Sequence, residues 1–569
     1  MNSPESVACQ FNDYYSKVAH SLDAALGPCT VDDPLSYLRT VRVTEPLVFQ
    51  PVGQETIRCT IANLNDTGAG LDGINSKLLK QLSPVIVPHL THLVNICITT
   101  GRFPAVLKTA LITPIYKSGS RSLFSNYRPI SVLPVVSKIL ESVIYNQLIS
   151  FLAENEILYD YQFGFRANHS TYMPISLLHD FITNKLVDGC VTAGIYLDLA
   201  RAFDTVNTNI LLDKLSKYGI RGNALSLFSS YLTDRKHCLK FKDIVSDVKD
   251  ITCGVPQGSV LGPILFLLYI NDLSRVCDEA KFLLFADDTA IVYSSKTLHE
   301  LQLVISRSFP KVVTWLHANR LSLSTSKIFY QLYAPGNVDL TDLSIPVNGV
   351  YLKRAPVVKY LGVLVDEDLK FKSHISKVSS VISRNLGIIS RARYLLDRKL
   401  SVLLYNSLVL PYLSYCLIIW GSNYDSNLTS VITVQKRAIR LIAGVGRLSH
   451  TSPLFRELKL LKLPDLLNKQ LLLLLHNCLF GRLPEAISRN FSLHDRSRPT
   501  RSVRHFSELI TSGSGEVLIP PFFNVSSTTT LVTVLDLVAR SGTSGSNATY
   551  ISLCLARYFC SIYVLYKLK

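Results

Sequence analysis

The chain has 569 residues, of which 48% are hydrophobic, and 59 Lys and Arg against 42 Asp and Glu give it a formal net charge of +17. This length exceeds one compact domain, and the hydrophobic content excludes disorder as the main state. The basic excess suits a polyanionic partner such as a nucleic acid, although a basic protein without such a partner fits the charge equally well. Twelve cysteines without a CxxC pair or a Cys/His cluster exclude a disulfide framework and a structural zinc site, and indicate reduced intracellular thiols.

The first 70 residues are predicted to form an N-terminal extension and linker. Met1–Ala24 has no long apolar core, so no secretory signal is expected. A helix is predicted over Phe11–Leu26, and a linker near Pro46–Pro51.

The next stretch is predicted to be mainly helical. Two helices are expected over Ser76–Leu82 and Val85–Thr100, followed by a strand over Leu111–Tyr116. Apolar residues with a period of 3.6 predict a further helix that ends at about Phe151. Ser170-Thr171 then gives the N-cap signal of another helix.

Acidic residues end apolar runs at two places, with a glycine-rich turn between them along the chain. One run ends at Asp198, and two more flank Asp287 and Asp288, which predicts a β-hairpin with two acids at its tip. The turn Gly254–Ser259 precedes an apolar helix. Magnesium favours one or two protein carboxylates together with substrate phosphates. Taken alone, the Asp-Asp pair would fit a solvated surface turn as well.

The second half of the chain is predicted to contain long helices and two further strands. The expected elements are a helix over Leu298–Ala318 with a break or kink at Pro310, a strand from Lys327, a strand over Lys359–Val363 before an acidic turn at Asp366–Asp368, and mostly helix from His374 to about Ala443.

The last hundred residues give few signals. The run Leu471–Leu475 predicts a core helix. Tyr550–Leu568 is apolar, but its longest uncharged part, Tyr558–Tyr566, is far shorter than the ~20 residues that a membrane span needs. We therefore expect no membrane segment there, but a buried helix or strand, or a decayed tail.

The strand ending at Asp198, the turn Gly254–Ser259 and the Asp287-Asp288 hairpin form an ordered triple. This order resembles the reverse transcriptases of non-LTR retrotransposons, particularly the jockey-like kind, from about Leu71 to about Gly444. The resemblance implies an α+β fold, that of a right-hand polymerase with fingers, a palm with a ferredoxin-like sheet, and a helical thumb. It divides the chain into an N-terminal extension (residues 1–70), fingers and palm (71–372), thumb (373–450) and a C-terminal region of uncertain structure (451–569).

The resemblance also implies the catalytic residues. Asp198 and Asp287 would bridge two Mg²⁺ ions about 3.5–4 Å apart, with Mn²⁺ as an alternative, and Asp288 would be a further metal-binding acid. Lys327 would protonate the departing pyrophosphate, although its neighbours differ from the Asn and Thr that the family usually shows.

Further residues are implied to contact substrates. Phe203 would lie under the incoming sugar and crowd a 2′-hydroxyl, which implies deoxynucleotides; a core aromatic residue is the alternative. The implied nucleotide-binding residues are Lys117, Arg128, Phe203, Gln257 and Gly258, and the implied nucleic-acid-binding residues are Arg166, Gly362, Lys436, Arg437 and Arg440. Taken singly, each of these cations also fits a solvated surface charge.

The expected function is RNA-directed DNA synthesis by two-metal-ion catalysis, in target-primed insertion of a retrotransposon. The expected partners are an RNA template, a DNA primer or target, deoxynucleoside triphosphates, and an element-encoded RNA-binding protein and endonuclease, with no membrane. The protein is expected inside the cell, and in the nucleus during insertion. About seventy residues before Leu71 are too few for an endonuclease, so a segment of a longer element or a truncated copy is expected. The alternatives are a catalytically decayed copy that only binds nucleic acid, and an intron-type or telomerase-like polymerase.

Overall fold

The computed structural model describes residues 3–27, 33–38, 43, 45–66, 68–336, 341–347 and 349–489 and, for the backbone alone, 492–494 and 516–518. Helices and strands are interspersed along the chain, which gives a mixed α+β fold. The helices are α1 (Pro4–Leu26), α2 (Gln54–Ala62), α3 (Ser76–Thr100), α4 (Val135–Glu154), α5 (Tyr172–Val187), α6 (Thr208–Lys217), α7 (Gly222–Leu232), α8 (Leu261–Ile270), α9 (Leu298–Ala318), α10 (Lys372–Ala392), α11 (Arg398–Leu408), α12 (Leu410–Ser414), α13 (Leu417–Trp420), α14 (Asp425–Ala443), α15 (Thr451–Glu457), α16 (Leu463–Leu479) and α17 (Glu485–Ser488). The strands are β1 (Thr109–Tyr116), β2 (Tyr127–Val132), β3 (Val191–Leu197), β4 (Arg235–Phe241), β5 (Ile244–Val245), β6 (Lys249–Ile251), β7 (Ala280–Phe285), β8 (Asp288–Ser295), β9 (Phe329–Tyr333), β10 (Pro346–Val347), β11 (Val350–Tyr351), β12 (Lys353–Arg354), β13 (Val357–Tyr360), β14 (Val363–Asp366), β15 (Ser492–His494) and β16 (Glu516–Leu518).

The N-terminal helix α1 starts seven residues before the predicted start at Phe11. Ser3 caps the helix, because its Oγ accepts a hydrogen bond from the Ser6 amide at 3.2 Å, and a proline occupies the first turn. The buried side chains of Phe11 and Tyr15 pack against strands β1 and β4. The helix is therefore part of the folded body.

The segment near Pro46–Pro51, predicted as a linker, has no helix or strand but is packed against the folded body. Leu47 and Phe49 are buried in a large hydrophobic cluster, here called the first core, which also includes Ile195 and Trp315. The Leu47 amide donates to the carbonyl of Gly219 at 3.1 Å. The flanking prolines suggest a linker, but the two apolar residues between them supply enough buried surface to hold this extended segment in place.

Helix α3 is continuous, so the prediction of two helices, Ser76–Leu82 and Val85–Thr100, is wrong. Pro84 and Pro88 lie inside it. Each proline removes a backbone hydrogen bond and disfavours a helix interior. The buried stripe of α3 outweighs this cost, because most helix stability in proteins comes from tertiary packing. Helix α9 has the predicted bounds, Leu298–Ala318, and runs through Pro310 without a break, while a kink there stays a prediction.

Two helices of the described residues, α3 and α4, are long and apolar enough to cross a membrane by length and composition alone. A core helix can meet the same criterion, and both helices bury side chains in the first core, as Ile139 and Leu148 of α4 do. The absence of a membrane partner stays a prediction. The stretch Tyr550–Leu568 lies outside the described residues.

The first sheet has the strand order β2-β1-β4-β5, with β6 also paired to β4. Strand β1 contains the predicted Leu111–Tyr116, and it pairs antiparallel with β2 and parallel with β4. The antiparallel register sets Ile115 opposite Arg128 and Tyr116 opposite Tyr127. Lys117 and Arg128 are therefore brought to one end of this hairpin.

The second sheet has the order β12-β9-β3-β8-β7, and β3 lies at its centre with every residue buried. Its residues alternate between two cores, as the two-residue period of a strand requires. Ile195 and Leu197 belong to the first core. Tyr196 belongs to a second cluster, here called the second core, which also includes Leu283 and Trp420.

The second core joins this sheet to the C-terminal helices. Helices α10 to α14 confirm the predicted helical stretch from His374 to about Ala443. The same core continues through α15, α16 and α17 to Ile487, and α16 contains the predicted core run Leu471–Leu475. The predicted boundary at residue 450 therefore does not coincide with a break in packing.

The predicted strand Lys359–Val363 is instead a hairpin. Strands β13 and β14 pair with Tyr360 opposite Val363, which leaves Leu361 and Gly362 as a two-residue turn. Both turn residues have a positive φ, +46° and +85°, as a type I′ turn requires. A leucine in this conformation is unusual, so the sequence favours an unbroken strand.

The carboxyl of Asp180, on α5, is expected to make the stability of the fold depend on pH. Burial raises the pKa of this carboxyl from 3.8 to about 7, and its Oδ2 has no hydrogen-bond partner among the described residues. The folded state therefore holds a proton that the unfolded state releases, so stability should fall as pH rises from about 4 to about 7. We expect Asp180→Asn to raise the melting temperature at pH 8 by about 2–4 °C, and to change it little at pH 4. An equal shift at both pH values would contradict this prediction.

Candidate active site

The two acids lie at the predicted hairpin. Phe285 pairs with Asp288, so Ala286 and Asp287 form the two-residue turn between β7 and β8. Ala286 has φ +54°, a left-handed conformation, and Oε1 of buried Gln162 accepts hydrogen bonds from the amides of Ala286 and Gly164, each at 2.9 Å. Gln162 therefore holds the turn, a role that the sequence analysis missed. A glutamine two residues before a glycine gives no local signal of its long-range partner.

Asp198 directly follows β3 and lies beside this hairpin. Strands β3 and β8 pair antiparallel with Leu197 opposite Thr289, one residue from each acid. The carboxylates affect one another: burial first, and then the charge of Asp198, raise the pKa of Asp287. Burial, with the charges of Asp287 and Asp198, raises the pKa of Asp288 to about 6. The sheet therefore brings together the three acids predicted from the sequence.

Three cationic side chains surround these acids. Lys327 Nζ lies 2.9 Å from Asp198 Oδ2, across 129 residues of sequence. The positive charges of Lys117 and Arg128 offset part of the rise in the pKa of both hairpin acids. Burial, followed by the charges of Arg128 and Lys327, lowers the pKa of Lys117. All three cations implied for the reaction therefore lie in one electrostatic cluster with the acids.

Lys327 does not begin a strand as predicted. It ends a single 3₁₀ turn, Thr325–Lys327, and β9 starts at Phe329. The turn is anchored beside the acid, because the Ser324 amide donates to the carbonyl of Asp198 at 2.9 Å.

The acids suit a magnesium site that substrate would complete. Within the described residues, no group of three His, Cys, Asp or Glu side chains could hold a metal ion by itself. Magnesium needs only one or two carboxylates when phosphate oxygens supply further ligands. Asp198 and Asp287 offer that number, and their mutual repulsion would be relieved by a cation. Lys327 already pairs with Asp198 Oδ2, so an ion would have to share or replace that contact.

Phe203 is fixed by neighbouring aromatic rings. Its ring stacks on Phe266 with 4.5 Å between centroids, and meets Phe165 edge-on at 5.9 Å. Phe203 packs against the first core but is only partly buried, whereas Phe165 is exposed. The ring could therefore both pack and present a face to substrate.

The turn that contains Gly258 lies very close to strand β2. Gly258 has φ +121°, and a Cβ at this position would lie 2.5 Å from the carbonyl oxygen of Ser131. The Ser131 amide donates to the carbonyl of Gln257 at 2.8 Å. Gln257 Nε2 donates to Asp204 Oδ1 at 2.7 Å. Glycine is therefore required at position 258 by both backbone conformation and space.

The five residues predicted to bind nucleic acid are not gathered in this cluster. Arg166 Nη1 donates to the carbonyls of Tyr159 and Gln162, so this guanidinium stabilises its own loop. Gly362 lies in the β13–β14 turn, and the hydroxyl of Tyr415 donates to the neighbouring Leu361 carbonyl at 2.7 Å. On α14, Lys436 and Arg437 are exposed, and Arg440 Nε donates to the Ser449 carbonyl at 2.8 Å.

Comparison with known proteins identifies the central part of the chain. Residues 115–365 match the family described as reverse transcriptase (RNA-dependent DNA polymerase). The match contains the three acids and the three surrounding cations.

Similar proteins come from mobile elements of insects. The chain is 29% identical over 489 residues to a probable RNA-directed DNA polymerase from transposon X-element of Drosophila melanogaster, covering 81% of this chain and 51% of that protein. It is 28% identical over 431 residues to the RNA-directed DNA polymerase from mobile element jockey of the same species, covering 74% and 47%. It is 24% identical over 447 residues to a retrovirus-related Pol polyprotein from type-1 retrotransposable element R1 of Bradysia coprophila, covering 77% and 44%.

The chain thus spans about half the length of these relatives. The ordered motifs, the acid cluster at the sheet edge and the matches agree on one assignment. Residues 115–365 carry a reverse transcriptase domain, and the chain is similar to RNA-directed DNA polymerases of insect mobile elements.

Proposed function

We propose that this chain is an RNA-directed DNA polymerase that adds deoxynucleotides to a primer 3′-hydroxyl. The observation that carries the proposal is the cluster of Asp198, Asp287 and Asp288 with Lys117, Arg128 and Lys327 inside the matched domain. Acids that can hold cations beside side chains that can bind phosphate are what nucleotidyl transfer needs.

The proposed architecture is a right hand. The first sheet with the hairpin that carries Lys117 and Arg128 would be the fingers, and the second sheet would be a ferredoxin-like palm. The helices from α10 onward would be the thumb, with residues 71–372 as fingers and palm and 373–450 as the predicted thumb. The shared second core favours a thumb that is packed directly on the palm sheet.

In the proposed mechanism, Asp198 and Asp287 would hold two Mg²⁺ ions, and Asp288 would add negative charge beside them. Bound magnesium would activate the attacking hydroxyl and neutralise charge on the leaving group. Lys117 and Arg128 bind and orient the triphosphate, Arg128 with a fork suited to two phosphate oxygens. Lys327 is placed to give a proton to the departing pyrophosphate. Phe203 crowds a 2′-hydroxyl and so selects deoxynucleotides.

The proposal extends to the partners of an insertion reaction. The substrates would be an RNA template and a DNA primer or target, with synthesis primed at the target site. An element-encoded endonuclease and RNA-binding protein would assist, inside the cell and, during insertion, in the nucleus. The basic charge of the chain supports binding to such polyanions.

Primer extension by purified protein tests the proposal directly. The reaction would contain a primed RNA template, deoxynucleotides and magnesium, with a DNA template and ribonucleotides in parallel. Template-directed extension on RNA with deoxynucleotides is expected. RNA binding without extension under these conditions would favour a copy that binds nucleic acid but no longer polymerises.

A change at Lys117 should affect substrate binding more than turnover. We expect Lys117→Gln to raise KM for deoxynucleotides about tenfold, because one charged contact to phosphate is lost. Steady-state kinetics of single-nucleotide addition would measure this. Lys242→Gln, in the exposed turn after β4, is the matched control and should leave KM unchanged. An unchanged KM in Lys117→Gln would remove this residue from the triphosphate site.

A further inference from the structure

Arg201, three residues after Asp198, has a strained backbone and an unusual environment. Its φ is +50°, in the left-handed region that residues other than glycine rarely adopt. Such a conformation persists only where surrounding interactions hold it, and it is most frequent at functional sites. Its guanidinium lies 5.2 Å from the ring centroid of Tyr14 and 5.7 Å from that of Tyr15, both on α1.

The guanidinium of Arg201 joins three parts of the chain. Nη1 donates to Asp204 Oδ2 at 3.4 Å. Nη2 donates to the hydroxyl of Tyr14 at 3.3 Å and to the carbonyl of Tyr127 at 3.5 Å. Arg201 therefore connects α1 and strand β2 to the turn that follows Asp198.

Asp204 also contacts Gln257, in the glycine-rich turn. Its second carboxylate oxygen, Oδ1, accepts from Gln257 Nε2 at 2.7 Å. Two backbone hydrogen bonds join the same two segments. The Gly254 amide donates to the carbonyl of Val206 at 2.7 Å, and the Val255 amide donates to the carbonyl of Phe203 at 2.8 Å. The loop of Gln257 therefore rests directly on the segment that Arg201 holds.

The pair Arg201–Asp204 is largely buried, with side chains 17% and 18% exposed. Burial raises the pKa of Asp204, while Arg201 and the hydrogen bond from Gln257 lower it. Arg201 and Gln257 thus both favour the ionised form of the Asp204 carboxyl, against the effect of burial. A partly buried, hydrogen-bonded pair of this kind is worth more than an exposed ion pair.

We propose that Tyr14 and Arg201 are positioning residues of the polymerase. Tyr14 orients Arg201, Arg201 holds Asp204, and Asp204 holds the Gln257 amide. The docked helix α1 thereby sets the geometry of the loop that contacts the incoming nucleotide or template. The inference rests on the proposed function, because the substrate contact of Gln257 is implied by the resemblance to reverse transcriptases and requires a working polymerase. It assigns a role in nucleotide binding to an N-terminal helix that lies outside the matched residues 115–365.

The test uses graded changes at both residues. Arg201→Met removes both the charge and the hydrogen-bond donors of the guanidinium, whereas Arg201→Lys keeps the charge. Tyr14→Phe removes one hydrogen bond and keeps the ring. Tyr15→Phe is the matched control, because the Tyr15 hydroxyl has no hydrogen-bond partner among the described residues. Asp13→Asn, which weakens the ion pair of α1 with Lys249, controls for looser docking of the helix.

The first readout is hydrogen–deuterium exchange of the full chain, which does not depend on activity. The amides of Gly254, Val255 and Ser131 should exchange faster in Arg201→Met, with an intermediate effect in Tyr14→Phe and parent-like rates in Tyr15→Phe. Exchange at the parent rate in Arg201→Met, or acceleration equally over the whole chain, would overturn the proposal.

The second readout is steady-state kinetics. Arg201→Met should raise KM for deoxynucleotides about tenfold and alter kcat much less, with partial recovery in Arg201→Lys. In a Gln257→Ala background the same change should have almost no further effect on KM, since coupled residues are not additive. Full additivity would overturn the proposal. Should the parent chain show no extension, the proposed function fails, and the exchange readout still decides whether Arg201 holds the loop.

Discussion

Replacing Asp287 with alanine is expected to reduce kcat for primer extension by roughly 10³-fold or more. Asp287 lies in the two-residue turn between β7 and β8, close enough to Asp198 for the charges of the two acids to affect each other. Its loss would leave one bridging carboxylate. It would also remove a negative charge that partly neutralises Lys117 and Arg128. Single-nucleotide extension under saturating magnesium would measure the effect.

Asp243→Ala, in the exposed turn after β4, is the matched control for Asp287→Ala. It removes the same charge at a residue that is not among those shifting the pKa of Asp287 or Asp288, and it should retain the parent rate. Binding of primed RNA, measured by a mobility shift, should be similar in both variants and the parent. If Asp287→Ala kept more than about a tenth of the parent kcat, Asp287 would not be a metal-bridging residue.

Replacing Phe203 with alanine is expected to lower the preference for deoxynucleotides over ribonucleotides about a hundredfold. The ring is held between Phe266 and Phe165, so its position is set before substrate arrives. Removing it would make room for a 2′-hydroxyl, while losing little of the contact with the deoxyribose itself. The ratio of kcat/KM for matched deoxynucleotides and ribonucleotides measures the change.

The alternative for Phe203 is a purely structural aromatic residue. In that case Phe203→Ala would lower the melting temperature and reduce kcat/KM for both nucleotides to the same extent. Phe203→Leu separates the two possibilities further, because it keeps much of the buried volume but loses the flat ring. Unchanged discrimination in both Phe203→Ala and Phe203→Leu, when both variants are folded, would assign the ring to packing.

Local patterns predicted the parts of the fold whose causes are themselves local. The hairpin with Asp287 and Asp288 at its tip follows from two apolar runs around residues that suit a turn. The strand that ends at Asp198 and the helices from α10 to α14 were predictable for the same reason. The motif order then indicated the family before any contact was known.

Local rules failed where tertiary packing or a long-range hydrogen bond outweighed them. Pro84 and Pro88 predict an interruption, yet α3 runs through both because one face packs in the first core. The segment Lys359–Val363 predicts an unbroken strand, yet Leu361 lies in the turn between β13 and β14. There the hydroxyl of Tyr415 donates to its carbonyl, a partner more than fifty residues away that no local window contains.

The sequence by itself determined the identity of the acids, their place at strand ends and the family that their motifs resemble, because spacing and residue type are properties of short segments. The tertiary structure alone decided which residues meet. It joined Lys327 to Asp198 across 129 residues, and Arg201 to Tyr14 across 187. Such contacts depend on how two sheets and their helices bury a shared core, and that packing brings together side chains whose separation along the chain gives no sign of their proximity.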